Sequence, residues 1–227
     1  MHINIREPYT TRDSIFADKW FDEKLIHLLS AKSINADRFY LTGFETILFN
    51  KRSNFAVETI LSSIIAFDEN VLIVGNSQDN KWVEAICDHH GIDSKSISMS
   101  QLLESKGHFF EFLKENPDIR CILLNEPECL SYSMDAIKTV HDIASQFKVE
   151  IVLNCSGLPY SLANLSECGV SFMVFSPNTH SQSSVVVAQR SKLVQAEGRS
   201  RSMVYDLYYY WQKTLFDRKH EIEPMAV

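Results

Sequence analysis

The chain has no excess of positive charge. Its 29 acidic residues outnumber 22 basic ones, for a formal net charge of −7, so no overall field would draw a phosphate backbone to the surface and no nucleic-acid partner is expected. It also has no run of about 18 apolar residues, and its opening MHINIREPYT carries neither the basic stretch nor the apolar stretch of a leader. A membrane span is therefore not expected, and the cytoplasm is the expected compartment. The five cysteines (Cys87, Cys121, Cys129, Cys155 and Cys168) are odd in number and irregularly spaced. That is neither a disulfide framework nor a zinc pattern, and they read as reduced core thiols. No repeat, low-complexity tract or linker divides the 227 residues, which read as a single domain.

What the sequence does have is alternation. Hydrophobic residues make up 45% and charged residues 22%, an ordinary balance for a chain with a packed core. Short β-rich runs, TILF, VLIVG, CILLN, EIVLN, FMVF and VVVA, are separated by segments of helical period. In MDAIKTVHDIASQFK, for example, Ile137, Val140, Ile143, Ala144 and Phe147 share one face. Strands that are continuous apolar runs are buried on both faces and need helices on both sides. The expected fold class is α/β, a three-layer αβα domain with a mostly parallel sheet.

Local signals refine this outline. Ser53 and Asn54 are placed to cap the helix of SNFAVETILSSIIAF. SKSISMSQLLES reads as a strand and a capped helix, and Gly91 reads as the C-cap of WVEAICDHHGI. His89 and His90, with Cys87 nearby, raise the question of a metal. Adjacent side chains at a helix end are expected to point apart, so no metal site is assigned. The aromatic segment MVYDLYYYWQKTLF reads as a helix used for core or oligomer contacts rather than as a ligand box.

Two further segments carry a family resemblance. SNFAVETILSS is similar to the helix that follows the cofactor-phosphate loop of the class V, fold-type-I pyridoxal-phosphate (PLP) aminotransferases. EGRSRSMVYDLYYYW is similar to their K-G-x-S-R-S-L-S-L-D-L-Y segment. From about Asn4 to Trp211 the chain resembles the large domain of that family, in particular its 2-aminoethylphosphonate:pyruvate members. The resemblance implies a PLP-dependent-transferase-like large domain over 1–227, with an amino-terminal arm over about 1–35 and without the family's small carboxyl-terminal domain.

It also implies where a cofactor cleft would lie, and there the chain departs from the family. The family's Schiff-base lysine closes an S-x-N-K stretch, which here is Ser176, Pro177, Asn178 and Thr179. A threonine hydroxyl cannot form an imine, and the next lysine, Lys192, matches no catalytic position. The family aspartate that pairs with the pyridinium nitrogen is matched by Asn154, which carries no negative charge. The glycine turn that cradles the cofactor phosphate is matched by Lys51, Arg52 and Ser53. The loop after the lysine shortens to Gln182, Ser183 and Ser184, and Glu128 matches a family glutamate while Cys129, Leu130 and Ser131 replace threonines. Arg199 and Arg201 are expected to fix the entry to the last helix.

Three readings follow from these departures. The first is a pseudoenzyme, a degenerate aminotransferase-like domain serving as a binding or assembly module, with no catalytic residue and no cofactor expected, paired with itself or with an active homologue. The second is an enzyme that holds PLP or its amine form, PMP, without an imine, with His180 as the base. The third is an anion- or phosphonate-binding protein that uses Lys51 and Arg52 in the old cleft.

Overall fold

The computed structural model describes residues 43–128, 134–156, 168–176 and 182–221. The expected amino-terminal arm lies outside them. The apolar runs form the strands β1 (Phe44–Phe49), β2 (Asn70–Gly75), β4 (Ile119–Glu128), β5 (Glu150–Ser156), β6 (Phe172–Ser176) and β7 (Ser184–Gln189), and SKSI forms β3 (Ser94–Ile97). They make one seven-stranded sheet in the order β1-β7-β6-β5-β4-β2-β3. From β6 to β3 every pairing is parallel, and β7 runs antiparallel to both neighbours. The edge strand β3 is the polar one, with Lys95 and Ser96 exposed, which discourages pairing with another chain.

Alternation along each strand sorts side chains into two cores. Leu72, Val74, Ile122, Leu124, Ile151 and Leu153 face α3 (Met99–Leu103), α4 (Lys106–Glu115) and α5 (Met134–Ala144). Val71, Ile73, Cys121, Leu123, Val152 and Val174 face α1 (Ser53–Ile64), α2 (Ser77–His90), α6 (Arg190–Gln195) and α7 (Leu207–Glu221). Three layers result, as expected for strands apolar on both sides. On α5 the predicted stripe is in place, with Ile137, Val140, Ile143 and Ala144 buried and Phe147 half-buried in the 3-10 turn that follows.

Two helix ends follow the sequence. Ser98 and Gln101 form a reciprocal capping box on α3. Gly91 takes a left-handed conformation (φ 62°, ψ 40°) that ends α2, its amide donating to the Asp88 and Cys87 carbonyls.

Three expectations are corrected. Ser53 and Asn54 do not cap α1, because the helix already includes Ser53, and the cap residue Arg52 makes no side-chain capping bond. The last helix starts at Leu207 rather than Met203, since Asp206 stops it by accepting the Tyr209 amide at 3.1 Å. Cys87, Cys121 and Cys168 are buried, whereas Cys155 is disulfide-bonded, so the expectation of reduced thiols fails there.

Candidate functional site

The parallel strands β2, β4, β5 and β6 end on one rim of the sheet, and the antiparallel β7 begins there, with Val185 opposite Phe175 and Ser184 opposite Phe49. The turn from β1 to α1 joins the same rim, where the Ser184 hydroxyl donates to the Lys51 carbonyl at 2.8 Å. Pairing sets Glu128 beside Ser156, Ser156 beside Ser176, and Asn125 beside Asn154. The fold thus gathers the backbones of Lys51, Arg52, Ser53, Glu128, Asn154 and Ser176 at one end of the sheet. Lys51 and Arg52 are exposed and Ser53 is half-buried. Pro177, Asn178, Thr179 and His180 lie outside the described residues. Lys192 belongs elsewhere, since it ion-pairs at 2.5 Å with Glu150, the residue at the far end of β5 from Asn154.

The centre of the rim is a chain of buried amides. Asn154 donates from Nδ2 to Asn125 Oδ1 at 2.8 Å. Asn125 donates in turn to the Asp79 carbonyl at 2.9 Å and to Asn80 Oδ1 at 3.2 Å. Asn80 completes the series by donating to Ser96 Oγ at 2.9 Å. Asn80 is 0% exposed, Asn125 1% and Asn154 7%, so these contacts satisfy groups that water does not reach freely. Gly75 makes room for the chain, because a Cβ there would overlap the Asn125 carbonyl oxygen and approach Asn80 Oδ1 to 2.7 Å. Asn154 was singled out in the sequence, whereas Asn80, Asn125 and Gly75 were not. The available signal was that CILLN and EIVLN both end in asparagine.

Hydrogen-bond polarity limits what Asn154 can do. One of its two N–H groups is directed to Asn125 within the sheet end, and no carboxylate occupies the position where the family resemblance calls for one. With threonine at position 179, the residues do not fit PLP held as an imine over a charged partner.

A second cluster lies where the C-terminal ends of α1 and α2 meet the segment leading to α7. The Arg201 guanidinium donates to the Ile65 carbonyl at 3.0 Å, to those of His90 and Gly91 at 2.9 and 3.1 Å, and to that of Ala66, and it stacks 4.7 Å from the Phe67 ring centre. A cation at two helix C-termini meets their exposed carbonyls and their dipoles together. Burial pulls the guanidinium pKa down, opposed by the charge of Glu69. The expectation that Arg201 fixes the entry to the last helix is met. Ser62 and Ser63 contribute by donating to the Tyr205 carbonyl at 2.7 and 3.1 Å, and Ser63 Oγ accepts the Leu207 amide at 3.0 Å.

Beside Arg201, His90 Nε2 lies 2.9 Å from Glu58 Oε1. The ring of Tyr205 meets that of His90 edge-on at 5.4 Å. Burial, then the Glu58 charge and a hydrogen bond to Glu58, raise the Tyr205 phenol pKa. The expectation that His89 and His90 diverge is not met. Their ring centres are 4.9 Å apart, and ligand atoms of Glu58, His89 and His90 all lie within 4.8 Å of one another. Cys87 is not part of this group. It is buried against Ser94, and desolvation pushes its thiol up to about 11. Among the described residues no helix is long and apolar enough to cross a membrane.

No protein-family model matches the chain. It is 24% identical over 180 residues to the 2-aminoethylphosphonate–pyruvate transaminase of Vibrio cholerae, a match covering 75% of this chain and 48% of the relative. Against the Bacteroides fragilis transaminase of the same name it is 19% identical over 217 residues, covering 89% and 59%. The bifunctional phosphonoacetaldehyde hydrolase/aminoethylphosphonate transaminase of Clostridioides difficile is 24% identical over 190 residues, covering 81% and 29%. The chain spans about half the length of the curated relatives it matches. Among solved structures, ureidoglycine–glyoxylate aminotransferase from Bacillus subtilis superposes with a TM-score of 0.57 at 11% identity, over 93% of this chain and 54% of that one. The PLP-bound C-S lyase of Staphylococcus hominis gives 0.54 at 11% identity, over 93% and 63%. In sequence and in fold, the chain is similar to the large domain of the class V PLP-dependent aminotransferases, with 2-aminoethylphosphonate–pyruvate transaminases among its relatives.

Proposed function

We propose that this chain is a catalytically degenerate aminotransferase-like domain that works as a binding or assembly module. The observation that carries the reading is the buried amide chain. Asn154 holds a neutral side chain where a transaminase needs a charge to keep the cofactor ring protonated, and one of its N–H groups is bound to Asn125 at 2.8 Å. Replacing an aspartate by asparagine on an otherwise intact site would leave an amide facing the cleft. Here the amide is one link in a network with Asn125, Asn80 and Ser96, so the sheet end is organised around neutrality. Thr179 at the lysine position supports the same reading, since a hydroxyl forms no imine.

The test is titration of the purified chain with PLP, followed by visible absorbance and by mass analysis after borohydride reduction. No reducible adduct is expected. A reducible adduct would mean that another lysine does the work of the missing one, and the reading would fall. The proposed partner is a second copy of this chain or an active homologue. A protein that co-purifies with nothing from its native host and sediments as a monomer would count against the assembly role.

One observation favours a second reading, phosphate or phosphonate binding at the rim. The start of α1 has no side-chain cap, and although the Phe55 amide is taken by the Arg52 carbonyl at 3.0 Å, the positive end of the helix lies beside the exposed cations Lys51 and Arg52. Charge reversal at both positions would abolish binding of PLP or inorganic phosphate if the rim is the site. Unchanged binding would remove this reading.

A further inference from the structure

The Glu58–His89–His90 cluster lies away from the amide rim, and neither the family resemblance nor the proposed function uses it. We propose that it is a binding site for a divalent transition-metal ion of the zinc type. It joins the middle of α1 to the C-terminal end of α2, with three candidate ligand atoms within 4.8 Å of one another.

The donor set identifies the class of ion. Two imidazoles and one carboxylate suit Zn²⁺, Co²⁺ or Ni²⁺, whereas Ca²⁺ and Mg²⁺ need more oxygen ligands than this cluster offers. Two of the three ligands are already held. The His90 side chain is 6% exposed and that of Glu58 15%, with Nε2 and Oε1 2.9 Å apart. Two ligands of one tetrahedral ion, each about 2.0 Å from it, stand roughly 3.3 Å apart, so this pair needs to open only slightly. His89 is exposed and is free to swing its ring onto the ion from the solvent side, leaving a fourth position open to water.

The surroundings supply the support that a metal site needs. The Tyr205 ring packs edge-on against the His90 ring at 5.4 Å, a contact that helps fix the orientation of that imidazole. The His90 backbone is fixed by the Arg201 guanidinium through its carbonyl at 2.9 Å. That guanidinium is itself engaged by four backbone carbonyls. His89 and His90 are the last two residues of α2, which Gly91 ends, and their rings meet with centres 4.9 Å apart. A bound ion would clamp α1 to α2 at the point where the Arg201–Tyr205 segment crosses both.

The experiment uses the untagged full chain, stripped with chelator and titrated calorimetrically with Zn²⁺, then loaded with Co²⁺ for its visible spectrum. One ion per chain is expected, with micromolar or tighter affinity. Both Glu58→Gln and the exposed-site variant His89→Ala should weaken binding at least about tenfold. Zinc should raise the melting temperature of the wild type and much less that of His89→Ala. Failure to bind one equivalent, affinity unchanged in His89→Ala, or a cobalt-thiolate charge-transfer band would each overturn the proposal. The last of these would place the ion on a cysteine.

Discussion

Asn154→Asp introduces the charge that the family resemblance calls for at this position, and the amide chain predicts that the protein does not tolerate it well. Asn154 is a donor toward Asn125 Oδ1 at 2.8 Å, and a carboxylate is acceptor-only, so the variant sets two oxygens against each other. Turning the Asn125 amide over would repair that contact. It would also aim Oδ1 at the Asp79 carbonyl and at Asn80 Oδ1, which now accept at 2.9 and 3.2 Å. Asn80 can turn as well, because the Ser96 hydroxyl can donate. The Asp79 backbone carbonyl cannot. One acceptor–acceptor contact therefore remains around a residue that is 1% exposed, costing about 1–3 kcal/mol, with a further penalty for desolvating the carboxylate. A total of roughly 2–4 kcal/mol is expected at neutral pH. Protonation removes most of it, since the neutral acid can donate to Asn125 Oδ1. In the folded variant the pKa of the introduced carboxyl should then rise by about two units above the usual value near 4. Between those two values the folded variant binds more protons than the unfolded one, so its stability relative to wild type falls as pH rises and levels off above roughly pH 6. Urea unfolding at about pH 4.5 and about pH 7.5 reads both effects. A variant as stable as wild type at the higher pH, or a deficit that does not change with pH, would refute the reasoning.

Other perturbations test the same framework. Gly75→Ala should cost about 2–4 kcal/mol in urea unfolding, because its Cβ would come 2.7 Å from Asn80 Oδ1 and closer still to a backbone oxygen; a near-neutral result would mean that the amide chain is loosely held. Arg201→Met removes four guanidinium contacts to carbonyls at the ends of α1 and α2 and should cost about 2–4 kcal/mol. Arg201→Lys should recover less than half of that, because an ammonium cannot span the same acceptors, and full recovery would show that charge alone matters. Burial raises the Cys87 thiol from 9.0 to about 11. The folded state therefore holds its proton while the unfolded state loses it, and stability declines through that window by about 1.4 kcal/mol per pH unit. Cys87→Ala should flatten this part of the decline, and an unchanged alkaline slope would refute the assignment.

The layered fold was legible because strand alternation and helix period are local. VLIVG, CILLN and EIVLN each announce burial on two faces, and Ser98 with Gln101, like Gly91, marks its helix end within a few residues. Contacts made by polar atoms across the fold were not legible. Asn154 and Asn125 are 29 residues apart, Asn125 and Asn80 a further 45, and no periodicity links them. Arg201 reaches carbonyls 110 to 136 residues away, and backbone acceptors have no sequence signature. The divergence expected of His89 and His90 considered only their adjacency on α2, whereas their rings meet at 4.9 Å between centres and Glu58, 32 residues from His90, draws the latter toward α1.

These long-range contacts bear on how the departures from the aminotransferase pattern should be understood. A single difference such as Thr179 could be undone by one substitution, and taken alone it says little about the rest of the sheet end. Asn154 is different, because its neutrality is shared with partners on β4, α2 and β3. Returning a carboxylate to that position requires Asn125 and Asn80 to turn and the Asp79 carbonyl to lose its donor. The sheet end is thus adapted as a unit to a side chain that donates. Arg201, by contrast, acts on helix-end carbonyls rather than on the rim, so the best-matched segment does not depend on the side chains at the sheet end. The helix-end contacts of Arg201 and the amide chain at the rim share no residue, and such separation is what the proposed binding or assembly role requires of the fold.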